Sequence, residues 1–178
     1  MIIARPRIIS ALYLLLIFYG IILAIRAVVN VFQTQLPVQA WPLIIGSFAI
    51  AIFNSGLVIG AGVGILRKLR WGWWLAGVFL SSSLLGSILG FTQLYMMQIN
   101  GDRLYTLQPG VLNVTVGTFI VAFFLLLLLF AKSVREYSSV NDVKISTCLG
   151  KFFGVGFLLL LFNALLIFLA SLFNVLIN

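Results

Sequence analysis

The chain has 178 residues, of which 63% are apolar and only 8% charged; a soluble domain is about a quarter charged, and one this small leaves much of its surface in water. The net charge of +8 does not signal nucleic acid, because the basic residues mark the ends of apolar runs and do not gather on one polar face. With one cysteine, Cys148, and no histidine, an intrachain disulfide and a Cys/His metal site are both excluded. The expectation is a single all-α transmembrane bundle without metal or cofactor.

A helix needs about 20 apolar residues to cross a hydrocarbon core of roughly 30 Å. The first predicted span covers about residues 8–31. It follows Arg5-Pro6-Arg7 and imitates a secretory signal, but the run is long and no convincing small-x-small site follows, so it reads as a retained helix. Arg26 is the one charge inside a span. Counted from Ile8, it lies about 27 Å along the helix, near the outer surface, where it either snorkels or holds an anionic headgroup or substrate.

After a break at Gln33-Thr34-Gln35-Leu36-Pro37, the second span runs over about 42–66, with Pro42 suited to a first helical turn. The third covers about 71–99, the fourth 111–131 and the fifth 152–177. Runs such as Phe123–Phe130 and Phe157–Phe162 are apolar all round, whereas a transmembrane strand would alternate. The outer loop around Asn100-Gly101-Asp102 and Gln108-Pro109-Gly110 carries turn signals, with Arg103–Leu107 read as a short extended piece, and 132–151 reads as the largest polar inner loop.

Five spans with the amino terminus in the cytoplasm place Arg5, Arg7, Arg67, Lys68, Arg70, Lys132, Arg135, Lys144 and Lys151 inside and Arg103 alone outside. That asymmetry is what positive-inside orientation demands. It puts the carboxyl terminus outside and the chain in a plasma membrane, the inner membrane in a bacterium.

Gly56, Gly60 and Gly64 recur every four residues on the second span, and Ser82, Gly86 and Gly90 do so on the third. The expectation is a glycine-zipper hairpin in which these two small faces meet. Gly60-Ala61-Gly62-Val63-Gly64-Ile65 misses the nucleotide-binding G-x-G-x-x-G pattern at its last position and lies within a span. The turn Arg67-Lys68-Leu69-Arg70-Trp71-Gly72-Trp73-Trp74 is read as an interfacial anchor. Its basic residues and three tryptophans would contact lipid or a partner, with Arg67 spaced to stack on Trp71 and Arg70 on Trp74. Ser47, Asn54, Gln93, Gln98, Asn163 and Asn174 are neutral polar residues inside spans. They are read either as interhelical hydrogen-bonding groups or as the lining of a solute site in which Arg26, Asn54, Gln93 and Asn163 take part.

Enzyme chemistry is not expected. The three carboxylates, Asp102, Glu136 and Asp142, all lie in predicted loops, so no acid–base pair or proton relay sits in the membrane. The favoured reading is a non-catalytic accessory or assembly subunit. Its partners would be lipids, other membrane subunits or a second copy, and not nucleic acid. The alternative is a small transporter, channel or substrate-binding subunit for a neutral or anionic solute. A polar cavity containing Asn54, Gln93 or Asn163 favours the alternative; a dry interior favours the accessory role. In a Cys148→Ser background, Tyr105→Cys is expected to label from outside intact cells and Ser139→Cys is not; the reverse pattern refutes the orientation.

Overall fold

The computed structural model describes residues 7–33, 41–99 and 109–177. Arg5, the 34–40 loop and the outer loop with Asp102 and Arg103 lie outside them, as do the side chains of Gln93, Gln98 and Asn174. All described regular structure is helical: α1 Arg7–Gln33, α2 Trp41–Leu66, α3 Arg70–Ile99, α4 Pro109–Leu129, α5 Lys132–Tyr137 and α6 Ile145–Ile177. Helices α1, α2, α3 and α6 are long and apolar enough to cross a membrane. The described apolar run of α4, Asn113–Leu129, is shorter at 17 residues, or about 26 Å. The chain is thus an all-helical bundle of membrane type. Its outward side chains, such as Phe18, Phe124 and Leu158, are large and apolar, as contact with lipid tails requires.

Two boundaries differ from the sequence reading. Helix α6 begins at Ile145, well before Phe152, because Ser146, Thr147 and Lys151 lie on exposed first turns and interrupt only the hydropathy. The inner loop also contains α5, a six-residue helix held by its one buried side chain, Val134.

Helices α1, α3 and α6 run away from one end of the bundle, and α2 and α4 run back to it. Gly62 of α2 lies against Tyr13 and Ile17 of α1, Gly64 of α2 against Gly72 of α3, and Thr115 of α4 against Gly90 of α3. Helices α3 and α6 are parallel, with Gly77 against Phe152 and Gly156 against Ser82. Every described basic residue except Arg26 therefore gathers at one end, called here the basic end.

The turn from α2 to α3 closes as a Schellman motif. Leu69 N–H donates to Gly64 C=O at 2.8 Å and Lys68 N–H to Ile65 C=O at 3.0 Å, with Lys68 left-handed at φ 58°. Ser139 (φ 55°) ends α5 in the same way, Val140 N–H donating to Arg135 C=O at 2.9 Å. The tight turn fixes the hairpin register and brings the backbones of Gly64 and Gly72 together. A β-carbon on Gly72 would lie 2.5 Å from the Gly64 carbonyl carbon.

That register corrects the expected zipper. Gly64 meets α3, but at Gly72 and not at Ser82, Gly86 or Gly90. Gly56 is open, and Gly60 has only Leu75 nearby. Gly86 and Gly90 face Leu160 of α6 and Thr115 of α4, while Ser82 abuts Gly156 of α6. The cause is helical geometry: steps of four residues drift by about 40° around a 3.6-residue turn, so three such glycines do not share one straight partner. Gly72→Ala is expected to destabilise the protein by about 1–3 kcal/mol in detergent unfolding, since neither backbone has a flexible atom to give way. Gly56→Ala, into open space, is expected to be neutral or slightly stabilising.

Candidate functional site

The basic half of the bundle is closed. Trp73, fully buried, donates its indole N–H to the Leu129 carbonyl at 2.9 Å, fixing α3 to the end of α4. Around it pack Trp74, Phe130 and Phe152 at centroid separations of 5.4, 5.9 and 4.9 Å, distances at which aromatic pairs attract. Leu12, Leu16, Val58, Ala61, Ile65 and Leu80 fill the space between α1, α2 and α3.

The structure divides the expected interfacial anchor. Arg67, Lys68, Arg70 and Trp71 are exposed, whereas Trp73 is a core residue and Trp74 is half-buried, because the start of α3 is pulled inward by the Gly64–Gly72 contact. The expected stacks give way to other pairs. Arg70 ion-pairs with Asp142 at 2.9 Å, Lys68 lies over the Tyr137 ring at 5.0 Å, and Lys151 lies over Trp74 at 5.9 Å. The Tyr137 hydroxyl donates to the Leu66 carbonyl at 3.2 Å, so the α5 segment is latched under the hairpin.

Beyond this plug lies a cavity of about 480 Å³, open and not sealed. Arg26, Ser47, Asn54, Ser82, Ser83, Ser87, Thr115, Thr118 and Asn163 supply its polar lining; Leu23, Ile50, Phe79 and Leu160 are among its apolar residues. Thus Arg26, Asn54 and Asn163, three of the four polar residues singled out in the sequence, border one space; the side chain of Gln93 is outside those described. Tyr19 and Phe79, edge to face at 6.2 Å, lie nearest the basic end, and the Tyr19 hydroxyl meets the Thr118 side chain across the space between α1 and α4. Measured along α3 from Arg70, the lining runs from Phe79 to Gly90, or from about 14 to about 30 Å above the basic end. The inner part of the cavity therefore lies near the middle of the apolar run of α3, Arg70–Thr92.

The polar groups on and around it are satisfied unequally. The Ser55 hydroxyl donates to the Ala51 carbonyl at 2.7 Å, and Ser87 donates to Ser83 at 2.9 Å, back-bonds that short side chains make to their own helix. The Oδ1 atoms of Asn54 and Asn163 and the Oγ of Ser81 are buried without a hydrogen-bond partner. Phe53 and Phe162, the neighbours of the two asparagines, have ring centroids 6.3 Å apart, which places both carboxamides on facing turns of α2 and α6. Arg26 is exposed at the rim, and the described carboxylates, Asp142 and Glu136, pair at the basic end with Arg70 and Lys132.

Ser82, expected to pack in the zipper, abuts Gly156 and also lines the cavity, where Ser83 and Ser87 join it; in the sequence only the small volume of these serines, with Gly86 and Gly90 on the same stretch, signals a void. Among the described residues there is no group of His, Cys, Asp or Glu able to hold a metal. No known family model, curated protein or solved structure matches the chain, so its own residues carry the functional reading.

Asn54→Leu removes an unpartnered carboxamide at nearly constant volume and is expected to leave thermal stability in detergent unchanged or raised by about 1 kcal/mol. Trp73→Phe leaves the Leu129 carbonyl without its donor and is expected to cost about 1–3 kcal/mol.

Proposed function

We propose that this protein binds a water-soluble solute inside the membrane, as a small transporter or substrate-binding subunit, with five crossings and the basic end in the cytoplasm. The observation that carries this reading is the open cavity bordered by Arg26, Asn54 and Asn163. An accessory subunit that works only by helix packing has no use for polar atoms held unpaired at bilayer depth, where each costs about 1–3 kcal/mol. A solute site does, because a carboxamide on its wall meets water or ligand with its amide group or, turned end for end, with its oxygen. The surroundings fit: pockets of this kind occur between bundle helices, apolar in the main with a few convergent polar groups. The Trp73 cluster closes the route towards the basic end, so this arrangement is a binding state accessible from the opposite side, in the plasma membrane or its bacterial counterpart.

The test is solvent access. In a Cys148→Ser background, Ser83→Cys is expected to react with a charged, membrane-impermeant thiol reagent added from the outer side. Phe124→Cys, on the lipid-facing surface, is expected to stay unreacted. An inert Ser83→Cys in folded protein returns the chain to the accessory reading.

A further inference from the structure

The chemistry of the cavity changes along its depth, and that gradient specifies a kind of solute. Resting on the binding reading above, we propose that the site takes a small hydroxylated organic acid, its acid group at Arg26 and its hydroxyls on the carboxamides of Asn54 and Asn163. Arg26 is the one ionisable cation on the lining, and the described carboxylates are engaged at the far end of the bundle. A guanidinium at the rim of a low-dielectric space attracts a carboxylate more strongly than it would in bulk water, and its planar fork matches that group.

Deeper in, Asn54 and Asn163 line the cavity, each with its Oδ1 buried and unpartnered. A carboxamide meets the space with its amide N–H or, turned end for end, with its oxygen. A hydroxyl both donates and accepts, so it satisfies either orientation. An acyl chain in the same place would strip both carboxamides of water and give nothing in return. A neutral polyol would leave the charge at the rim unused, and a cation would meet no described carboxylate on the lining.

The helix register sets the length. Gly20 of α1 packs against Ser55 and Ile59 of α2, so Arg26, six residues further on, lies beside Ile50 and Ala51, both on the lining. Asn54 is then one turn deeper, about 5 Å along the axis. That separation suits an acid that carries hydroxyls two to four carbons from its carboxylate, with Ile50, Ala51, Leu23 and Ala27 against its carbon chain.

The experiment uses the full chain in phosphatidylcholine nanodiscs, titrated calorimetrically with three six-carbon probes: gluconate, hexanoate and glucitol. Gluconate is expected to bind at least about tenfold more tightly than either of the others, the equivalent of one good hydrogen bond or ion contact. Arg26→Gln should reduce gluconate to the level of glucitol, with Arg26→Lys, which keeps the charge but not the fork, intermediate between that level and the wild type. The double variant Asn54→Leu, Asn163→Leu should reduce it to the level of hexanoate. Hexanoate binding as tightly as gluconate, glucitol doing so, or no gluconate binding at all each overturns the proposal, and the wild-type comparison alone decides it if a variant does not fold. Labelling at Ser83→Cys keeps the two readings apart. If that site reacts while gluconate fails, only the choice of solute falls; if it is inert, the cavity reading falls with it.

Discussion

Apolar helices gain nothing by leaving lipid for one another through the hydrophobic effect, so this bundle depends on how closely its backbones approach. The tightest approaches include Gly62 beside Tyr13 and Ile17, Gly64 against Gly72, Gly77 beneath the Phe152 ring and Gly156 against the backbone of Ser82. Most of these lie in the half of the molecule nearer the basic end. There α1, α2, α3 and α6 are drawn together, and the indole of Trp73 ties in the end of α4. Further along, α3 presents Ser82, Ser83, Gly86, Ser87 and Gly90 to the cavity, side chains too small to fill it, while α2 and α6 meet again beyond it at Gly46 and Ala170. The cavity therefore lies where α3 carries small residues between two levels of close helix contact.

The polar atoms of the spans sort themselves by reach. A serine folds back on the carbonyl four residues earlier, as Ser55 and Ser87 do, and asks nothing of its surroundings. An asparagine projects too far to be satisfied so easily by its own helix. Asn54 and Asn163 occupy facing turns, yet each leaves its oxygen unpartnered. In a dry, lipid-sealed interior that arrangement would be destabilising without return. Beside an open space it is sustainable, because either carboxamide turned end for end would bring its oxygen to the space.

The architecture was legible because bilayer thickness imposes a length on apolar runs, and the positions of Arg67–Arg70 and Lys132–Lys151 divide them. Hydropathy missed what depends on local hydrogen bonding, namely the early start of α6 over Ser146 and Thr147 and the short α5. Of the site, rarity marked Arg26, Asn54 and Asn163, since ionisable and carboxamide side chains are costly in spans. Their shared cavity depends on the register set by Gly20 and Gly64, which spacing within one helix does not encode. The glycine rule misled for the same reason: a four-residue repeat identifies a small face without naming its partner, so Gly20, Gly62, Gly72, Gly77 and Gly156 were passed over in favour of Gly56 and Gly60. Trp73 was assigned to the interface by its neighbours in sequence, although one further step around α3 turns its ring inward.

The two ends of the molecule are held by interactions of different strength. On the basic surface, Arg70 and Asp142 form an ion pair with side chains 51% and 65% exposed, and such pairs contribute roughly 0–1 kcal/mol. Lys132 and Glu136, 3.8 Å apart and also exposed, add no more. These contacts orient the α5 segment but do not lock it. Beneath them, Trp73 combines a buried hydrogen bond with three aromatic neighbours, and Gly77 lets Phe152 sit directly on the α3 backbone. Any passage from the cavity to the basic end must separate this cluster and leave the Leu129 carbonyl without its donor. The closure on that side thus resides in packed aromatic side chains between the cavity and the basic end and not in the charged loops outside them. Even if α5 were released from the surface, the cavity would remain closed on that side.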